Sequence, residues 1–458
     1  MEQNATRRIL DHFTEGFKES SARNAGLGRR IGAELKFPFV DAGGNAVARE
    51  TLDAFWAYLA ENGWKPDHDK TTGKVVGART AGAYNDSVAS CETGYCKAEF
   101  SLAHVGDLFE LQNSVERLRE LVRPFLERER AHLLCYGMQP LTPPSSRLLM
   151  KKARAGFWDR VFPSNEVIPP EDGDDVHMFT VNATSHVHVS VAADEAVRAV
   201  NVLNGFAGAQ IALTANSPVW RGRVEPGFCC VNEHLWDCWR PAAGRVGVPA
   251  RSFDGLDDYV ASIAGLRPVF VKRDGVPLLL GDRYDTFADY FGTDEAVVRT
   301  VEGEERTVTP EQGDIGVHNS CYWYSARISR YYTVENRVCD QQPADALIVP
   351  AALTLGLVAA SEEAWKVLAE ISWQTLRELR AAACRDGIEA RADGVSATEL
   401  CGSMLDTAEA GLRRRGKGEE AFLQPLRERL AQKHNPATAV VQSVNANGIG
   451  SIVDQHSF

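Results

Sequence analysis

The ten cysteines include no CxxC pair, so neither a zinc ribbon nor a dithiol redox centre is signalled, and Cys91, Cys96, Cys229 and Cys230 are expected to be reduced packing residues. No apolar run reaches the roughly 18 residues that a membrane span needs. The most apolar stretch, 346–360, is shorter and contains Pro350, so it reads as the start of a buried helix and a membrane partner is not expected. Positive charge is not in excess: 50 Lys and Arg against 62 Asp and Glu leave a net −12, which repels a phosphate backbone and sets nucleic acid aside as a partner. The opening residues run into an amphipathic stretch with Asp11 and His12 rather than an apolar signal core, so a cytoplasmic protein is expected. The glycines form neither a P-loop nor a GxGxxG fingerprint, and there is no internal repeat or low-complexity linker.

What is present is an ordinary globular composition, 44% hydrophobic and 24% charged over 458 residues. At roughly 150 residues per domain, the chain could hold three domains or one large enzyme domain with an appendage. Residues 7–22 read as a helix. In Ile31-Gly32-Ala33-Glu34-Leu35-Lys36-Phe37 the apolar residues alternate with Gly, Glu and Lys, the period-2 pattern of a strand with one polar face. A helix follows over 51–63, then a turn-rich stretch at 65–72, strands near 74–78 and 95–103, and a long helix over 107–130. A second strand group spans 176–192, with His186, His188 and Ser190 on one face, and a helix covers 194–207. The Trp, Gly and Pro content of 218–250 marks a long structured loop, and loops of that length tend to be functional. A further strand runs over 327–339; beyond it the helical period dominates, with helices over 362–384, 396–415 and 419–433.

The polar strand faces carry the chemistry. Glu34, Glu92, Glu99 and Glu335 with His188 form a natural cage for Mg²⁺ or Mn²⁺, because hard divalent cations take oxygen ligands and leave room for phosphate. His186 reads as structural, and His234 and Trp236 as loop packing.

These residues also carry a resemblance. Gly32-Ala33-Glu34-Leu35-Lys36-Phe37 resembles the Gly-x-Glu-x-Glu strand of the glutamate–cysteine ligase family, carboxylate–amine ligases of the glutamine synthetase-like fold. Glu92-Thr93-Gly94 through Glu99-Phe100-Ser101 resembles its Glu-Pro-Gly…Phe-Glu-Leu-Ser segment, and Ser185 to Ser190 the strand that brings in a His or Gln. Ala215-Asn216-Ser217-Pro218-Val219-Trp220 is similar to its Ala-Asn-Ser-Pro-Phe segment, Glu335-Asn336-Arg337 with Asp340-Gln341-Gln342-Pro343 to its Glu-Val-Arg…Asp-x-Gln-Pro strand, and 419–440 to its terminal helices.

The resemblance implies an α+β fold: an antiparallel β-sheet funnel flanked by helices, with a catalytic domain over 1–345 and a C-terminal helical subdomain over 346–458 packed on it. It implies ATP and Mg²⁺, with Mn²⁺ as an alternative, and small-molecule substrates on a monomer or homodimer. Glu34, His188 and Glu335 would hold a metal between the β- and γ-phosphates. Glu92, Glu99 and the second Glu of the opening strand would hold another, but that position is Lys36, whose ammonium either leaves a metal with fewer ligands or replaces part of its charge. Cys230-Val231-Asn232-Glu233-His234 stands in the family's Ser-x-Arg-x-His segment, which puts Asn232 where an Arg reads the α-carboxylate of glutamate; Arg221 or Arg223 are the candidate substitutes. A carboxylate resists attack by an amine until ATP converts it to an acyl phosphate, and Arg337, with Arg327 and Arg330, is the cation supply that such a transfer needs. Three readings stay open: a ligase making γ-glutamylcysteine, a related ligase making another γ-glutamyl or amide product, and a non-catalytic nucleotide- or amino-acid-binding protein.

Overall fold

The computed structural model describes residues 2–82, 85–152, 158, 175–239, 242 and 244–458. Its centre is an antiparallel sheet of nine strands: β1 (Ile31–Asp41), β2 (Lys65–His68), β3 (Val75–Arg79), β4 (Val88–Ser90), β5 (Lys97–Ser101), β6 (Ala131–Leu133), β7 (Thr184–Ser190), β8 (Ala326–Ile328) and β9 (Thr333–Asp340). The order across the sheet is β8-β9-β7-β1-β5-β4-β3-β2, with β6 pairing the far end of β1. The alternation in β1 decides which face is which. Ile31, Ala33, Leu35 and Phe37 are each at most 3% exposed. Their side packs on helices α2 (Arg49–Glu61) and α3 (Leu108–Glu129), within one core that also takes in α1 (Glu2–Arg23) and includes Phe39, Phe55, Phe100 and Phe125. Phe55 lies at the middle, its ring 5.5 Å from Phe39 and 5.0 Å from Phe125.

The same core continues without a break into the C-terminal helices. The apolar stretch that reads as a buried helix start is α4 (Val349–Ala359), with Pro350 in its first turn, where a missing N–H costs nothing. It crosses α5 (Ala397–Arg415) backbone against backbone: a Cβ on Gly356 would stand 2.4 Å from the Ala408 carbonyl oxygen, and one on Gly411 would stand 2.1 Å from that of Gly356. Phe458 returns to the sheet, donating its N–H to the Leu133 carbonyl at 2.8 Å and stacking on Phe37 at 4.7 Å.

Several expectations differ from the structure, among them the strand group expected over 176–192, which is a 3-10 helix over Asp175–Thr180 followed by β7. The turn-rich stretch at 65–72 contains β2. The strand expected over 327–339 is a hairpin, β8 and β9, whose turn puts Tyr332 at φ 57°. The long loop at 218–250, of which 240, 241 and 243 lie outside the described residues, contains a helix over Val231–Cys238 and a short strand pair, Val219–Trp220 with Arg223–Val224. The helix over 362–384 is two, broken where the Ser372 hydroxyl accepts the Thr375 N–H and starts a new one. Among the described residues no helix is long and apolar enough to cross a membrane.

Candidate active site

Strand register assembles the polar face. Lys36 on β1 stands opposite Glu99 on β5, Glu34 opposite His186 on β7, His188 opposite Glu335 on β9, and Glu335 opposite Arg327 on β8. Cross-strand neighbours lie about 5 Å apart, so residues from five parts of the chain meet above one sheet. They line a cavity of about 330 Å³ that also takes in Glu92, Arg337, Arg330 and Tyr331.

One cluster joins Glu34, His188 and Glu335, whose ligand atoms all lie within 4.8 Å of one another. The His188 ring is oriented as a metal ligand needs: Nδ1 sits 2.9 Å from the Thr333 hydroxyl, leaving Nε2 toward Glu34 Oε1 at 3.3 Å. Burial pulls the His188 imidazole down, but the Glu34 hydrogen bond and the Glu335 and Glu34 charges outweigh it and raise its pKa. Two hard carboxylates and one imidazole, with the second ring nitrogen fixed, fit Mg²⁺ or Mn²⁺. Glu335 is gripped from both sides, by Arg327 Nε at 2.7 Å and by Arg337, and although burial opposes it these guanidiniums hold its carboxyl far below the usual range.

The second cluster does not fit a divalent ion. Its middle is filled by the Lys36 ammonium, 3.0 Å from Glu92, 3.3 Å from Glu99 and 3.8 Å from Glu34. The lysine is 2% exposed. Burial works against its charge, yet the carboxylates of Glu92, Glu99 and Glu34 raise its pKa, so it stays an ammonium. Among these carboxyls Glu99 is the one pushed up, to about 7, by burial and by its acidic neighbours Glu92 and Glu34 against the pull of Lys36.

His186 sits at the junction, Nδ1 3.0 Å from both Lys36 and Glu34 and Nε2 2.7 Å from the Thr184 hydroxyl. Burial, Arg337 and Lys36 push it down to about 3, so it is neutral and bridges the clusters without adding charge. Lys97 completes the set and is not anticipated from sequence. It is buried, with Nζ 3.1 Å from Glu92 and 2.9 Å from Asn182 Oδ1. The signal was available, since Lys97 lies two residues before Glu99 and so on the same strand face.

Of the remaining expected residues, Arg330 lines the cavity and donates to the Tyr331 hydroxyl. Asn232, Arg221 and Arg223 are not brought to it. Asn232 is buried and donates Nδ2 to Asp340 Oδ1 at 3.1 Å. Arg221 lies over the Trp220 ring and pairs with Glu225 at 3.0 Å, and Arg223 is exposed in the adjoining strand pair. The reason is helical geometry: in Val231–Cys238 the cavity face is set by Glu233 and Trp236, three residues apart, and Asn232 is rotated about 100° toward the core.

The antiparallel sheet, with helices packed on its apolar face and a cavity over its charged face, has the glutamine synthetase-like fold, which solved structures share. The Francisella tularensis glutamate–cysteine ligase, in complex with AMP, superposes with a TM-score of 0.57 at 12% identity, covering 93% of this chain and 87% of that one. A bifunctional glutathione synthetase from Pasteurella multocida gives 0.53 at 10% identity, over 96% of this chain and 52% of that one. The model of glutamate–cysteine ligase family 2 matches residues 30–455, and the chain belongs to that family. Curated relatives include "Putative glutamate--cysteine ligase 2-3" of Rubrobacter xylanophilus, 27% identical over 56% of this chain and 54% of the relative, and a protein of the same name from Mycolicibacterium smegmatis, 29% identical over 39% and 44%. The matches thus span about half the length of these relatives.

Proposed function

We propose that this protein is an ATP-dependent carboxylate–amine ligase working through an acyl phosphate. The observation that carries the reading is Glu335: a buried carboxylate held between Arg327 and Arg337, beside Glu34 and His188 and facing the cavity. A Mg²⁺ or Mn²⁺ held by Glu34, His188 and Glu335 would neutralise charge on the terminal phosphates of ATP. Around it the chain supplies fixed cations. Four carboxylates (Glu34, Glu92, Glu99, Glu335) face four cations (Lys36, Lys97, Arg327, Arg337), so the wall is near neutral before nucleotide arrives and does not repel it. Arg337 and Arg330 are the groups assigned to the transferring phosphoryl, where charge spreads over its oxygens. The acid's oxygen bonds to the γ-phosphorus and ADP leaves; the amine nitrogen then bonds to the carbonyl carbon, phosphate leaves and the nitrogen loses a proton.

The product that family membership favours is γ-glutamylcysteine. A second reading, another amide product, is favoured by one observation: Asn232 is turned to Asp340, and among the described residues no arginine takes the place of a carboxylate reader beside it. Phosphate release from ATP and Mg²⁺, run with glutamate and a panel of amines and then with other acids, with products read by mass, separates the two. No release with any pair refutes the ligase reading.

A further inference from the structure

The stretch of cavity wall next to Asn232 is negative and aromatic. Glu233 lines the cavity, and its Oε2 accepts from Arg380 Nη2 at 2.6 Å, while Oε1 accepts no hydrogen bond from the described residues. Arg380 is shared with Asp237, so two carboxylates face one guanidinium, and Asp340 adds a third negative charge to the field at Glu233. This corner therefore keeps a net negative charge. One turn along the same helix, Trp236 stacks on Trp323 at 5.7 Å, and Phe179 and Phe270 extend the apolar wall. Of the cations that line the cavity, Lys36, Arg327 and Arg337 are committed to the strand-face cluster, Arg330 donates to the Tyr331 hydroxyl and Lys152 donates to the Cys91 carbonyl. A carboxylate beside aromatic ring faces attracts an organic ammonium, by charge and by the ring quadrupole together. Glutamate, with two carboxylates and a net negative charge, has the wrong charge for it.

We propose that Glu233, Trp236 and Trp323 form the subsite for the amine cosubstrate, and that this amine carries its ammonium next to an apolar or aromatic group. The inference rests on the ligase reading of the same cavity. Burial, against the pull of Arg380, pushes the Glu233 carboxyl up to about 7, which suits a group that must hold an ammonium and release it as it becomes an amide.

The test is calorimetric titration of the full chain with two probes of like shape and opposite charge, 2-phenylethylammonium and 3-phenylpropionate. The expected result is at least tenfold tighter binding of the cation. Glu233→Gln, which leaves Arg380 paired with Asp237, should remove that preference, with ADP affinity unchanged. Trp236→Ala should weaken both probes at least fivefold and stands in if the first variant does not fold. Equal binding of the two probes, binding of neither, or displacement of the cation by glutamate overturns the proposal. Neither probe titration needs turnover. A protein that binds ADP and releases phosphate but ignores both probes keeps the ligase reading and loses this one; one that binds the cation but never releases phosphate loses the ligase reading, and with it the cosubstrate role, and keeps only an ammonium site.

Discussion

Replacing Lys36 by methionine shortens the side chain by its terminal atom, the ammonium, and so removes the charge from between Glu34, Glu92 and Glu99. At an effective dielectric of about 20, each contact at 3.0–3.8 Å contributes roughly 5 kcal/mol of gross attraction, with the Glu92 share discounted because that carboxylate is 35% exposed. Desolvating the ions takes back several kcal/mol for each, so the net worth of the arrangement is far smaller than the sum. Removing one member is a different matter, because it leaves buried carboxylates facing one another, and the expected loss is about 3–5 kcal/mol. The vacated space has oxygen ligands on three sides. A divalent ion that binds the folded variant stabilises it by about 2.7 kcal/mol at a concentration 100-fold above its Kd. Urea denaturation of wild type and Lys36→Met, in EDTA and in Mn²⁺, reads the loss and its recovery, and spin-resonance counting of bound Mn²⁺ should give one more ion for the variant. Equal stability in EDTA, or the same Mn²⁺ count for both proteins, refutes the view that the ammonium occupies a cation position.

Three further outcomes are expected. Glu335→Gln should lower phosphate release at least 1,000-fold, roughly 4 kcal/mol of lost transition-state stabilisation, with an unchanged circular dichroism spectrum; retained turnover removes Glu335 from the phosphate site. Burial pushes the Asp340 carboxyl up to about 6, against donors from Asn216, Ser217 and Asn232. The folded state then holds a proton that the unfolded chain has lost, so this group's contribution to stability falls as pH rises from about 4 to 6, by about 3 kcal/mol, and is level above. Asp340→Asn should cancel that descent in urea titrations across the window, and an unchanged slope counts against it. Gly411→Ala should cost about 1–3 kcal/mol because its Cβ would meet the Gly356 carbonyl, whereas Gly402→Ala, with open space around it in the same helix, should gain about 0.5–1 kcal/mol; equal effects would contradict the close crossing of the helices.

The polar face of β1 was legible because alternation is a local property: Ile31, Ala33, Leu35 and Phe37 announce which side is buried, and Glu34 and Lys36 follow. The grouping of Glu34, His188 and Glu335 came from family resemblance, since nothing in the spacing of residues 34, 188 and 335 says that their strands are neighbours. The β8–β9 turn was hidden because Tyr332 adopts a left-handed backbone without the glycine or asparagine that usually marks one. Lys97 was visible by period but a strand lysine ordinarily points to water, and the carboxylate of Glu92, the amide of Asn182 and the carbonyl of Phe179 explain why this one does not. Glu233 lay inside a stretch whose tryptophans, glycines and prolines concealed a two-turn helix, so which of its neighbours faced the cavity was set by a rotation that composition does not report.

The caged lysine also bears on supply. A free divalent ion is shared with every other ligand in solution, and its occupancy of a site rises and falls with the surrounding concentration. A cation attached to the backbone is delivered once, at synthesis, in a ratio of one to one. Chelators cannot strip it and scarcity cannot empty it. If the ammonium holds a cation position, as the Lys36→Met experiment tests, occupancy there is fixed, and its charge changes by replacing the residue rather than by changing the medium.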